Sequence, residues 1–167
     1  MGKSLHGSSS MVLLELQTLL RSHANATKAE LNKRFFKTGP GQYGEGDLFL
    51  GLSVPFIRTC IKGFYDLPLA DLQKLICSEF HEERLAGLLI LGYQFKKSQL
   101  DKKQVIFRFY INHLKWVNNW DLVDSSADKI VGGYGLLHPK EVMPILSHLI
   151  RSPSLWERRV AMISTFE

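Results

Sequence analysis

The segment Asn118-Asn119-Trp120-Asp121-Leu122-Val123-Asp124 sets an indole and a carboxylate four residues apart. In a helix, that spacing projects both side chains from one face. Asp121 falls at the start of such a helix, where a carboxylate can cap free amides or favour the dipole. Farther along, Trp156 and Arg159 stand three apart and share a face in the same way. If the two helices lie side by side in register, two indoles, a carboxylate and a guanidinium meet on one strip. Indole faces attract cations, and a carboxylate adds to that attraction. Such a strip suits a cationic ligand beside an anionic backbone held by Arg159. The plainer reading stays open at this point: Trp120 and Trp156 as core aromatics, and Asp124 as a solvated or paired helix carboxylate.

Other stretches that invite a chemical reading fall short of one. Thr38-Gly39-Pro40-Gly41-Gln42-Tyr43-Gly44-Glu45-Gly46-Asp47 is glycine-rich, but no Gly-Lys-Ser/Thr follows and no strand precedes it, so it is not a phosphate loop. It reads as an ordered connection whose backbone amides could still touch a nucleic-acid phosphate. His81-Glu82-Glu83 lacks the second histidine of a helix-borne zinc motif, because position 85 is Leu85. No metal and no cofactor is expected. Cys60 and Cys77 have neither disulfide-framework nor metal-ligand spacing and read as buried free thiols in a reducing compartment. No Gly-x-Ser-x-Gly nucleophile elbow occurs.

The elements that must carry these residues are helical. Leu13, Leu16, Leu19 and Leu20 share one face, and so do Val54, Ile57, Ile61 and Phe64. The same spacing returns at Leu69–Ile76, Leu85–Phe95, Val105–Leu114 and Val142–Leu149, and clean strand alternation is nearly absent. Periodicity predicts about eight or nine short helices, most of roughly 10–18 residues. The expected fold class is all-α. His81-Glu82-Glu83-Arg84-Leu85-Ala86 lines up with Trp156-Glu157-Arg158-Arg159-Val160-Ala161, with Trp120-Asp121-Leu122-Val123-Asp124 between them. These openings start at 81, 120 and 156, intervals of 39 and 36 residues, the period of a two-helix solenoid with a concave face.

Composition sets the outer bounds. The 167 residues carry 21 Lys+Arg against 16 Asp+Glu, for a net charge of +5. The excess permits a polyanionic partner without requiring one. With 45% hydrophobic and 22% charged residues, the chain is neither low-complexity nor disordered. No apolar run approaches the ~20 residues a bilayer span needs. The expected location is cytoplasmic, at the nucleoid in a bacterium, or nuclear in a eukaryote. Residues 1–10 are expected to be a flexible segment ahead of one domain over 11–167.

The run from Phe36 to Leu52, followed by Val54-Pro55 and Arg58, resembles the N-terminal signature of the DNA alkylation repair glycosylases of HEAT-like repeat fold, the AlkD type. His81-Glu82-Glu83-Arg84, Asn118-Asn119-Trp120-Asp121-Leu122-Val123-Asp124 and Trp156-Glu157-Arg158-Arg159 resemble it too. The likeness covers about residues 11 to 167, nearly the whole chain. It implies an enzyme of base excision repair that removes positively charged N3- and N7-alkylated purines from duplex DNA without deep base flipping. It implies Asp124 as the catalytic aspartate, Trp120 as the lesion-side tryptophan and Arg159 as a DNA-contacting arginine. Trp156, Arg158, Lys37, Arg84 and Arg34 are then expected to serve the DNA as well.

The chemistry implied is consistent with those residues. An alkylated purine cation is already a good leaving group, so the barrier is positive charge developing on the deoxyribose. A fixed carboxylate stabilises that charge. A catalytically silent helical-repeat module that binds DNA or a protein partner remains the alternative. The family supplies further repeats and a second tryptophan, whereas this sequence stops at Glu167. The expectation is therefore a fragment lacking C-terminal repeats, with weak or absent excision. Its last helix, Trp156 to Phe166, is expected to expose Val160, Met162, Ile163 and Phe166 and to promote self-association.

Overall fold

The computed structural model describes residues 9–165, and residues 1–8, Phe166 and Glu167 lie outside that range. Among the described residues the protein is all-α, with no strand and one isolated bridge between Leu48 and Phe80. In chain order the helices are α1 (Ser9–Ser22), α2 (Ala26–Phe35), α3 (Val54–Cys60), α4 (Leu69–Ile76), α5 (His81–Lys97), α6 (Leu100–Asn112), α7 (Trp120–Asp124), α8 (Gly133–Leu137), α9 (Pro139–Leu149) and α10 (Leu155–Ile163). Several are shorter than periodicity suggests: α3, α4, α7, α8 and α10 have 7, 8, 5, 5 and 9 residues. The apolar spacing continues past their ends into tighter or wider turns, such as Ile61–Gly63 after α3 and the π-turn Asp128–Gly132 before α8. Periodicity does not separate these turns from α-helix.

Local chemistry explains the helix starts. Asn25, Ser53, Asn119 and Ser154 each present a side-chain oxygen to an orphan amide of the first turn of α2, α3, α7 and α10. Pro55 and Pro139 sit in first turns, where a missing N–H costs nothing. At the centre is α5, buried on every side from His81 to Gly92. Its stretch Leu85–Leu91 is apolar on every face and has to lie in a core. Leu85, Ile90 and Leu91 are at most 1% exposed, and burial of each such side chain is favourable by roughly 1.5–3 kcal/mol.

The repeat is present with its register shifted by one residue. Ser78 Oγ accepts the Phe80 amide at 3.1 Å and Ser152 Oγ accepts the Ser154 amide at 3.0 Å. Arg84 Nη1 donates to the carbonyls of Ser78 and Glu79, and Arg158 Nη1 donates to those of Ser152 and Pro153. The same arginine clamp closes the turn before α5 and the turn before α10, so Arg84 corresponds to Arg158, not to Arg159. An Arg-Arg pair hides that shift in the sequence.

The last helix is better covered than expected. Val160 and Ala161 are buried, Ile163 is half-buried, and Ser164 Oγ reaches the Ala127 carbonyl at 3.4 Å. Only Met162, 55% exposed, stands clear among the described members of that apolar set, and Phe166 lies outside the described residues.

Candidate functional site

Trp120, Trp156, Arg158 and Arg159 line one open cleft of about 560 Å³, together with Tyr43, Leu155, Met162 and Ile163. The i, i+4 and i, i+3 spacings thus put their residues on one surface. Asp124 joins through Arg159: the guanidinium donates Nε to Oδ1 at 2.8 Å and Nη2 to Oδ2 at 2.7 Å. This bidentate fork fixes the plane of the carboxylate. Hydrogen bonds to Asp124, only partly opposed by burial, push the Arg159 pKa up from its ordinary value. Both side chains remain more than a third exposed, so a ligand arriving in the cleft can compete for either.

Trp120 is held by rings that spacing alone did not reveal. Phe36 stacks on it at 5.6 Å and 19°, and Phe35 meets it edge-on at 5.9 Å. Tyr43 meets Trp156 edge-on at 5.4 Å. The glycine-rich connection therefore serves the cleft with the Tyr43 side chain. Its amides at Gly39, Gly41 and Gly44 are already bound to Gln42, Glu45 and the Lys37 carbonyl, so these three are not free to meet a phosphate. Gly44 is required there: a Cβ would lie 2.4 Å from the Phe36 carbonyl oxygen.

The remaining expected contacts divide. Lys37 stands exposed on the turn after α2, in a left-handed conformation with φ 55°, outside the cleft lining. Arg158 lines the cleft but commits Nη1 to two carbonyls. Arg84 does not fit its expected role. It is 2% exposed, its Nη1 is engaged by the turn before α5, and its Nη2 lies 2.7 Å from Asp47 Oδ1. A guanidinium so enclosed cannot meet a phosphate.

Behind the cleft lies a buried ionic cluster. His81 Nε2 donates to Asp121 Oδ2 at 2.7 Å, and His81 Nδ1 faces Asp47 Oδ2 at 3.5 Å. Asp121 also accepts the Leu122 amide at 2.8 Å, so it acts within α7, while Asn119 supplies the cap at 2.9 Å. Asn118 donates to Asp47 at 3.2 Å. Burial alone would lower the His81 pKa, but the bond to Asp121 and the facing Asp47 carboxylate outweigh it and hold the imidazole above its ordinary 6.5. Burial alone would raise Asp47, but the facing His81 imidazole and the charge of Arg84 outweigh it and hold that carboxyl below 3.8. The two linkages have opposite signs. Stability from His81 is full below pH 6.5 and is lost as pH rises through its raised folded value. Stability from Asp47 is present above pH 3.8 and is lost as pH falls through its lowered folded value. Thermal unfolding followed from about pH 3 to pH 9 is expected to show both losses, with the alkaline loss missing in His81→Gln. An alkaline limb that survives in that variant would assign it to another group.

A family model described as "DNA alkylation repair enzyme" matches residues 16–167. No curated protein matches the chain.

Proposed function

The chain belongs to the DNA alkylation repair enzyme family, and from that premise we propose that it is a DNA N-glycosylase. Its substrates are positively charged alkylpurines, N3-alkyladenine and N7-alkylguanine, in duplex DNA, and its place is base excision repair. The observation that carries the reading is the cleft itself. Two indoles, Trp120 and Trp156, share it with an arginine whose guanidinium is forked to Asp124. Indoles attract a cationic base, Arg159 attracts a phosphate, and Asp124 attracts the charge that develops on the sugar between them.

The cleft is open, and this supports attack without deep base flipping. An enzyme that extrudes its target needs a snug pocket. Here the lesion stays near the stack while Trp120 and Trp156 meet its exposed edge and sugar. As a phosphate engages Arg159, the fork to Asp124 loosens and the carboxylate turns toward the deoxyribose. The bond from C1′ to the purine nitrogen breaks, its electron pair neutralises the purine cation, and water adds to C1′ with loss of a proton. No general acid is needed, because the leaving base departs neutral.

Release of 7-methylguanine from methylated duplex DNA tests the reading directly. The expected result is release that depends on the alkyl group, from duplex whose binding weakens with salt at a log–log slope near −0.9 per phosphate contacted. Binding without release would favour the silent module, in which Arg159 keeps Asp124 neutralised. Affinity indifferent to salt would remove DNA as the partner.

A further inference from the structure

We propose that His81 is a positioning residue: as a buried cation between Asp121 and Asp47 it holds α7, and with it Trp120 and Asp124, in the geometry that excision requires. The excision part of this inference rests on the glycosylase reading above.

Charge balance carries the first part of the argument. Four ionisable groups meet out of water: Asp121 from α7, Asp47 from the end of the glycine-rich connection, and His81 and Arg84 from α5. Asp47, His81 and Arg84 are each no more than 7% exposed, and Asp121 is 9% exposed. Two carboxylates against one guanidinium leave one negative charge uncompensated, and a buried unpaired charge is strongly destabilising. A doubly protonated imidazole makes the cluster neutral. The ring is placed for that role, with Nε2 on Asp121 and Nδ1 aimed at Asp47. The neutral tautomer that keeps the Asp121 bond would turn a lone pair toward Asp47.

Two separate routes run from His81 to the cleft. One is the carboxylate of Asp121, which follows Trp120 in sequence and is bonded within α7. The other is aromatic: His81 packs against Phe36 at 4.7 Å and Phe49 at 4.8 Å, and the Phe36 ring stacks on Trp120. Asp47 reinforces the first route, since it receives Asn118 just before the cap of α7. Loss of the His81 proton therefore loosens α7 at its start and withdraws support from the ring on which Trp120 lies. A misplacement of about 1 Å at a reacting centre can cost up to about 10²-fold in rate.

The test uses the whole chain and two readouts. Long-range imidazole NMR spectra give the protonation of His81, with His81→Gln identifying the signal. The Trp120 indole N–H resonance, assigned with Trp120→Phe, reports the position of α7. Both nitrogens of His81 are expected to carry protons at neutral pH, and the Trp120 resonance is expected to move with the His81 midpoint as pH rises. In His81→Gln, which keeps a donor and cannot titrate, that movement should vanish. Single-turnover release of 7-methylguanine should fall through the same midpoint in the native protein. In the variant it should be roughly tenfold slower and flat with pH, with duplex affinity changed by less than about threefold. A His81 that is neutral at pH 7, or a Trp120 resonance indifferent to its titration, overturns the proposal even if release is robust. Absence of release with the resonance tracking His81 leaves the positioning intact and overturns the glycosylase reading instead. Should His81→Gln fail to fold, the native titration alone decides the matter.

Discussion

Asp124→Asn is expected to slow release of 7-methylguanine by roughly 10²-fold or more while duplex affinity stays within a few-fold. The substitution keeps size and removes charge. A neutral amide cannot offset a sugar cation, so the loss falls on the transition state and spares ground-state binding. The Asp124–Arg159 fork bears on how the result is read. The amide of the variant can keep one hydrogen bond to Arg159 and not the ion pair, which frees the guanidinium for a phosphate. Binding should therefore hold or tighten slightly, the opposite of what a purely structural carboxylate would give. Equal losses of rate, affinity and melting temperature would assign Asp124 to the scaffold. A native rate in the variant would remove it from the chemistry.

The residues that meet in the cleft were legible because their logic is local. Trp120 with Asp124, and Trp156 with Arg159, share a helix face by spacing alone, and stacking the two helices brings the pairs together. That Arg159 grips Asp124 was not legible, since spacing gives a common face and not a bond between neighbouring helices. Tyr43, Phe35 and Phe36 were missed for a related reason. They lie on α2 and an irregular connection, where no period says which way a ring points. The fold class followed from apolar spacing, but the helix lengths did not, because turns at Ile61–Gly63 and Asp128–Gly132 keep the apolar spacing of a helix.

The run His81-Glu82-Glu83-Arg84 misled at Arg84, which the resemblance offered to the DNA phosphates. All four are at most 2% exposed. The signal against an accessible Arg84 was the apolar stretch from Leu85 to Leu91 directly behind the four residues. A stretch apolar on every face must be enclosed, and the turn that leads directly into it is enclosed with it here. What the sequence could not supply was the partners: Arg21 and Gln17 for Glu83, Asp47 for Arg84, and Asp121 for His81. Each lies too far along the chain for a spacing rule.

Glu82 gives the largest expected effect on stability. Its carboxylate accepts three backbone amides, from Leu50 and Gly51 at 2.9 Å and from Leu52 at 3.2 Å. That cradle exists because Gly51 adopts φ +79° against the Asn25 turn, where a Cβ would stand 2.3 Å from a carbonyl oxygen. Glu82→Ala leaves three amides at a largely closed site without an acceptor. Each unsatisfied group costs about 1–3 kcal/mol, and because the three share one anchor the total should be about 3–5 kcal/mol. Against a typical stability of roughly 5–15 kcal/mol, that corresponds to a fall of about 8–15 °C in melting temperature. Glu82→Gln keeps one acceptor oxygen but turns an NH₂ toward a donor, so it should fall between the two. The damage should also be local. Residues 50–52 tether the connection that carries Tyr43 and Asp47, so hydrogen exchange should quicken at their amides before it does in α5. A Glu82→Ala protein that melts within about 2 °C of the native one, with those amides still protected, would mean that water replaces the carboxylate. The connection would then owe its place to the aromatic packing of Phe36 and Phe49 instead.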